Sequence, residues 1–279
     1  MVYYTPSQSP WLASEAGRSP LVFLHGFGGG SSAYEWSQVY PAFADGYRAI
    51  APDLLGWGRS EHPARAYRAE DYINTILEFL DGLAAGAIPV VASSLTAAFV
   101  VRAAVHRPDR FASLVLVAPS GLADFGQDAR DWLAQLAAVP GLDRGLYTTA
   151  IATDAGIRNF LETRQFARPE RVSPAMVEAY LQSAQQPNAE YAALAFLRGD
   201  LSFDLARYMG QLRVPTAILW GEQSQLTTPQ LGKQLAELNP QAVRGFQTIA
   251  DAGLTPQLET PAVAIALIQR YSRQLAAHS

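Results

Sequence analysis

Six short apolar runs punctuate the chain: Leu21–His25, Tyr47–Pro52, Pro89–Ser93, Ser113–Ala118, Thr216–Trp220 and Ala242–Ile249. Most are apolar without alternation, as expected of strands covered on both faces. Between them apolar positions recur at helical spacing. Tyr72, Ile73, Ile76, Leu77, Leu80 and Leu83 form one stripe, so that segment is expected to be a helix with one buried face. Thr96–His106 reads as a second helix, and a third runs from Pro261, where proline suits a first turn, to about Gln274. This alternation predicts an α/β fold, a mostly parallel sheet flanked by helices.

The rhythm breaks between Gly121 and Gly210. Helical patterns occupy Trp132–Val139, Ile157–Phe166, Pro174–Gln185 and Glu190–Leu201, with no convincing strand among them. An all-helical insert between two strands is expected to form a cap over the strands' carboxyl ends, where ligands of open α/β sheets bind. The predicted division is a core of residues 1–120 and 211–279 with a helical cap over 121–210. Trp132, Leu136, Phe160, Phe166, Met176 and Tyr180, with Tyr191, Phe196 and Leu197 beyond them, exceed what short amphipathic helices need for one contact face. They suit either a lipophilic ligand or the seating of the cap on the core.

Composition narrows the partners. With 49% apolar and 16% charged residues in 279, the chain has material for one large core. A formal charge of −4 and no Lys/Arg run disfavour a nucleic-acid or anionic-membrane partner. The absence of cysteine removes disulfides, thiolate metal sites and a cysteine nucleophile together. No basic start followed by an apolar core marks a signal peptide, and no apolar run approaches the roughly 18 residues of a membrane span. A cytoplasmic protein with no cofactor and no metal is the expectation, its partner a small lipophilic molecule or acyl compound.

Five motifs carry the chemistry. His25-Gly26-Phe27-Gly28-Gly29-Gly30 follows the first apolar run, and its glycines let the backbone turn tightly and bring N–H groups close to a ligand. Gly26-Phe27-Gly28 also opens a dinucleotide fingerprint, but Ser31 stands where that motif needs Gly or Ala. Asp53-Leu54-Leu55-Gly56-Trp57-Gly58-Arg59-Ser60 follows the second run. Ala92-Ser93-Ser94-Leu95-Thr96 joins a strand to a helix; centred on Ser94 it places the small residues Ala92 and Thr96 two positions to either side, whereas centring on Ser93 would put Leu95 there. Pro215-Thr216-Ala217-Ile218-Leu219-Trp220-Gly221 runs into Glu222-Gln223-Ser224. Gly253-Leu254-Thr255-Pro256-Gln257-Leu258-Glu259-Thr260-Pro261 follows the last run.

Together these residues resemble the α/β-hydrolase superfamily, in particular its capped lipase, esterase and dehalogenase-like members, from Leu21 to the C-terminal helix with the cap excepted. The resemblance implies that Ser94 is the elbow serine and that the backbone N–H groups of Phe27, or secondly Gly28, and of Leu95 form an oxyanion hole. It also implies two departures. The family's aspartate follows the P-T-x-x-L-W-G strand, and here that position holds Ser224. Its histidine sits in G-H-x-x-x-x-E-x-P, and here glycine, glutamate and proline keep the register while Leu254 takes the histidine's place. His25 is claimed by the glycine loop, His62 by another loop, His106 by a helix end and His278 by the terminus. Asp124 lies near the point where some relatives keep their acid, and Asp251 reads as a polar loop residue. Gln223, Ser224, Thr255 and Gln257 remain as polar helpers. The implied function is a hydrolase-like protein with an incomplete triad, binding a small lipophilic ligand with little or no ordinary esterase activity. The alternative is a hydrolase acting on an ester or related acyl substrate through Ser94 with a non-standard base.

Overall fold

The computed structural model describes residues 1–8, 17–126 and 143–277. Seven strands form one sheet: β1 (Tyr3–Tyr4), β2 (Pro20–Leu24), β3 (Arg48–Pro52), β4 (Ile88–Ser93), β5 (Phe111–Val117), β6 (Thr216–Gly221) and β7 (Val243–Ile249). Their order is β1-β3-β2-β4-β5-β6-β7; β1 pairs antiparallel with β3, and every other pairing is parallel. The six apolar runs are thus strands, shifted by one or two residues at their ends. The two-residue β1 is too short to leave an apolar signature.

Burial on both faces follows from the unbroken runs. Val22 and Leu24 point into the core shared with α1 (Ala69–Leu83) and α2 (Ser94–His106), while Leu21 and Phe23 point into a second core with Trp36, Phe43, Ile268 and Leu275. Helices α1 and α2 pack against each other, and the helix Pro261–Ala276 packs on β5 from the opposite side. One helix, Pro229–Glu237, escapes the apolar pattern because it buries little besides Gly232 and Leu235. A Cβ on Gly232 would stand 2.3 Å from the Trp220 ring, so glycine is what lets this helix lie on β6.

Between β5 and β6 the described chain is helical: Asp154–Phe160, continued by a wide π-type turn Leu161–Gln165, then Pro174–Ala184 and Ala189–Arg198. Ser173 caps the second of these by accepting the N–H of Met176, with Pro174 in its first turn. The expected helix Trp132–Val139, with Trp132 and Leu136, lies outside the described residues, as does His278.

Strand order locates the crevice. From β2 the sheet grows one way to β3 and the other way to β4, so the loops that leave β2 and β4 diverge at a topological switch point. Leu24 pairs with Ala92, which sets the His25–Gly30 loop beside the Ser93–Leu95 turn.

Candidate functional site at the β2 and β4 strand ends

Ser94 is the first residue of α2 and has φ +55°, a left-handed backbone that a non-glycine residue adopts at a cost of about 1–3 kcal/mol. Such strain persists only where the surroundings over-determine it. Here Ala92, Leu95, Thr96, Ala97 and Ala98 are all fully buried around the turn. Ser93 is 1% exposed, whereas Ser94 is half-buried. Leu95 N–H lies in the first turn of α2, where no intrahelical acceptor exists.

The glycine loop lies directly against this turn. A Cβ on Gly26 would stand 3.2 Å from Ser94 Cβ and 3.2 Å from Ser93 Oγ. One on Gly30, at φ +88°, would stand 2.1 Å from the Tyr180 carbonyl oxygen, so glycine alone fits. The Phe160 ring stands over Gly28, Ile151 over Gly29 and the Tyr180 backbone over Gly30. The Phe27 ring points away into the core, edge-on to Trp57, Tyr72 and Phe99.

His25 is locked out of chemistry. Its Nε2 accepts the N–H of Leu54 at 3.0 Å, which leaves the proton on Nδ1, 2.8 Å from the carbonyl of Gly26. His106 ends α2 at the opposite end from Ser94 and is exposed. His62 is half-buried rather than fully exposed, and burial lowers its pKa. It lies beyond Asp53, whose carboxylate accepts the N–H groups of Ala33 and Arg59, both at 2.8 Å, and the Tyr4 hydroxyl. The Asp53–Ser60 loop is therefore tied by its own aspartate.

Ser224 and Leu254 stand in neighbouring loops. Gln223 N–H donates to the Ala252 carbonyl at 2.9 Å, and a Cβ on Gly221 would strike the Gly253 carbonyl oxygen. Both residues are buried, and Ser224 Oγ has no hydrogen-bond partner among the described residues. The Glu259 carboxylate accepts the N–H groups of Gly253 and Ala167, both at 2.7 Å, closing the 253–259 loop as the sequence register requires. Burial raises its pKa, and these N–H groups oppose the rise. Leu254 N–H donates to Gln165, whose side-chain amide donates to the Tyr180 hydroxyl at 2.8 Å; that hydroxyl donates to Glu35 at 3.2 Å. Glu35 in turn accepts the N–H of Gly26 at 2.8 Å, beside the elbow. A connected chain of polar contacts thus runs from Leu254 to Gly26, which packs against the Ser94 turn. Glu35 carried no sequence signal, because a lone glutamate in a polar turn reads as surface.

Asp124 accepts the Ser120 hydroxyl at 2.6 Å and the N–H of Leu205 at 2.9 Å, and burial raises its pKa. Its acceptor sites hold the 120–126 turn to residue 205. Asp251, at φ +59°, is more than a polar loop residue: its carboxylate pairs with Arg168 and Arg171. Gln257 is fully buried, and among the described residues neither of its amide atoms nor Thr255 Oγ1 has a hydrogen-bond partner. Among the expected cap aromatics, Phe166 and Tyr180 are seated in the core, which supports the packing role over ligand contact.

Two cavities lie away from the elbow. One of about 550 Å³, bounded by Tyr4, Ser32, Tyr40, Arg59 and Gln182, shares no residue with the elbow. Another, of about 770 Å³, lies at the far end of α2 beside Arg213 and Asn239. Ser94 is itself partly exposed. Among the described residues no group of three or more His, Asp or Glu is placed to hold a metal, and no helix is long and apolar enough to cross a membrane.

A family description of the α/β hydrolase fold matches residues 19–261. The chain belongs to the α/β-hydrolase family. A 2-hydroxymuconate semialdehyde hydrolase of Pseudomonas sp. (strain CF600) is 35% identical over 105 residues, a match spanning 37% of this chain and 37% of that protein. Lipase 1 of Psychrobacter immobilis is 28% identical over 251 residues, spanning 86% of this chain and 72% of the lipase. Among solved structures, a thermophilic esterase from Thermogutta terrifontis superposes with a TM-score of 0.78 at 21% identity, covering 99% of this chain and 93% of the esterase. At that identity the superposition speaks for the fold alone.

Proposed function

We propose that this member of the hydrolase family binds a small lipophilic or acyl molecule at the Ser94 elbow and performs little or no ordinary ester hydrolysis. The observation that carries the proposal is Leu254, a buried apolar residue at the position where the family register has an imidazole. Phe27 N–H and Leu95 N–H would receive the ligand's carbonyl oxygen, with Gly28 N–H as the second choice for the former. The helical residues 121–210 would act as a cap on a core of residues 1–120 and 211–279, and Phe160 over Gly28 supports that arrangement.

The magnitude decides against ordinary turnover. A serine hydroxyl is a poor nucleophile without an adjacent base. Removing a triad histidine costs about 10⁶ in turnover, or roughly 8 kcal/mol of barrier. Ser224 in the acid's place leaves no buried carboxylate unpaired, so the two replacements suit one another. One observation favours the alternative, acyl transfer through Ser94 with a base other than imidazole: the strained φ of +55° is retained at Ser94. A fluorophosphonate probe separates the two, because labelling requires an activated oxygen. The purified protein is expected to remain unlabelled; labelling that disappears in Ser94→Ala would establish the alternative.

A further inference from the structure

The cavity of about 550 Å³ lies on the seam between the sheet and the helical segment. Its core side is built by Tyr4 of β1 and by Tyr34 and Tyr40, which stand in the successive turns Ala33–Trp36 and Tyr40–Phe43. Its other side is Ala179, Gln182 and Ser183 of the helix Pro174–Ala184, with Gln185 and Gln186 just beyond the helix end. Ser183 Oγ joins the two sides, donating to the Ser31 carbonyl at 3.1 Å and accepting the Gly58 N–H at 2.9 Å.

The wall restricts what can occupy this space. No Leu, Ile, Val, Met or Phe lines it, so its apolar surface is tyrosine ring, Ala33 and Ala179, which gives an acyl chain little to bury against. The three rings are half-buried. Tyr4 and Tyr40 rest on the core that holds Phe23 and Trp36, and Tyr34 rests on the other core. Among the described residues none of the three stacks on another ring, so the rest of each is left to the cavity. The Tyr34 and Tyr40 hydroxyls have no hydrogen-bond partner among the described residues. Burial raises the pKa of both phenols, so each stays protonated and can donate as well as accept. Gln182 Nε2 donates to Glu178 at 2.8 Å, which leaves its amide oxygen as an acceptor at the exposed edge. The lining holds one cation, Arg59, and one carboxylate, Asp53, so neither sign of charge dominates.

We propose that this cavity binds a neutral saccharide, at a site separate from the Ser94 elbow. A pyranose presents C–H groups on its faces and hydroxyls around its rim. A face laid on the Tyr34 or Tyr40 ring puts slightly positive hydrogens against a negative π surface. The rim hydroxyls both donate and accept, as the two phenols do, and they also meet the Gln182 oxygen and the Arg59 guanidinium. An acyl chain would displace water from these groups and leave them unpaired, which is costly. A phosphate would find a single cation with the Asp53 carboxylate in the same wall. The inference does not depend on the function proposed for Ser94.

The test is a saturation-transfer NMR titration of the full chain near neutral pH with maltose, cellobiose and lactose, using sodium octanoate and inorganic phosphate as competitors. At least one disaccharide is expected to bind with a Kd on the order of 1 mM, since its hydrogen bonds replace those of water. Neither competitor at equal concentration should displace it. Gln182→Ala, which removes the acceptor, and Tyr40→Leu, which removes the ring face, should each weaken binding by at least about threefold. Gln182 is exposed, so its variant carries the test if Tyr40→Leu does not fold. No binding of any of the three disaccharides, binding unchanged in the folded variants, or displacement by octanoate or phosphate would overturn the saccharide site.

Discussion

At the ends of β2 and β4 the chain keeps features made of backbone: a glycine run, φ +55° at Ser94 and a helix beginning at the elbow. At the ends of β6 and β7 Gly221 packs against Gly253 and Glu259 closes the turn, while Ser224 carries no carboxylate and Leu254 no ionisable group. The difference is instructive because the two regions answer to different constraints. The first is fixed by close approach, so altering it costs the fold. The second hangs on two side chains that can change while the loops stay in place. On the function proposed above, fold and chemistry are separable here because they reside in different atoms.

The sharpest way to break the comparison is to restore the second region. Ser224→Asp together with Leu254→His should raise hydrolysis of a short acyl ester by at least about 10²-fold, with either change alone doing little. Alone, Leu254→His puts an imidazole in an apolar wall where desolvation depresses its pKa, and Ser224→Asp buries an unpaired carboxylate. Melting curves on all four proteins check folding. A folded double variant at the unaltered rate would mean that the first region is also out of shape, with Thr96 the first suspect.

The next effects are on stability, in the first region. Gly30→Ala should destabilise by roughly 2–4 kcal/mol in urea melts, since it combines a left-handed backbone with a clash on Tyr180. Ser94→Gly should do the reverse and stabilise by about 1 kcal/mol, by relieving the strain at φ +55°. A loss of stability in Ser94→Gly would mean that the turn is held for packing and stores no strain.

The smallest effect concerns the join between the β7 loop and the helical segment. Hydrogen bonds from Arg168 and then Arg171 lower the Asp251 pKa below its ordinary 3.8. A depressed folded-state value contributes stability that is present above the ordinary pKa and lost as pH falls through the lower one. Melting temperature should therefore fall more steeply between about pH 5 and pH 3 in the unaltered chain than in Asp251→Asn. The difference should be small and should shrink in about 1 M salt, because the pair is solvent-exposed.

Strands and the strained strand-to-helix turn at Ser94 were legible in the sequence because each leaves a mark, unbroken apolar runs and small residues around Ser94; the proposal for Leu254 rests on the Gly–Glu–Pro frame around it. Glu35 was not legible, since its burial arises from Tyr180, distant in sequence, and from the helix Pro256–Glu259 lying on its turn. The helix Pro229–Glu237 was missed because its contact with β6 runs through a glycine, which adds nothing to an apolar stripe. His25 illustrates the converse. The sequence set it aside as structural, and the hydrogen bonds at both ring nitrogens give the reason.

Hydrolysis of a p-nitrophenyl ester by the purified chain and by Ser94→Ala, followed from about pH 6 to pH 9, tests the proposed loss of the relay most directly. The two proteins are expected to agree within about tenfold at every pH, since the absent base is worth roughly 8 kcal/mol. A Ser94-dependent rate far above that margin, rising through an apparent pKa near about 7, would reveal an imidazole acting at the elbow and contradict the reading of Leu254.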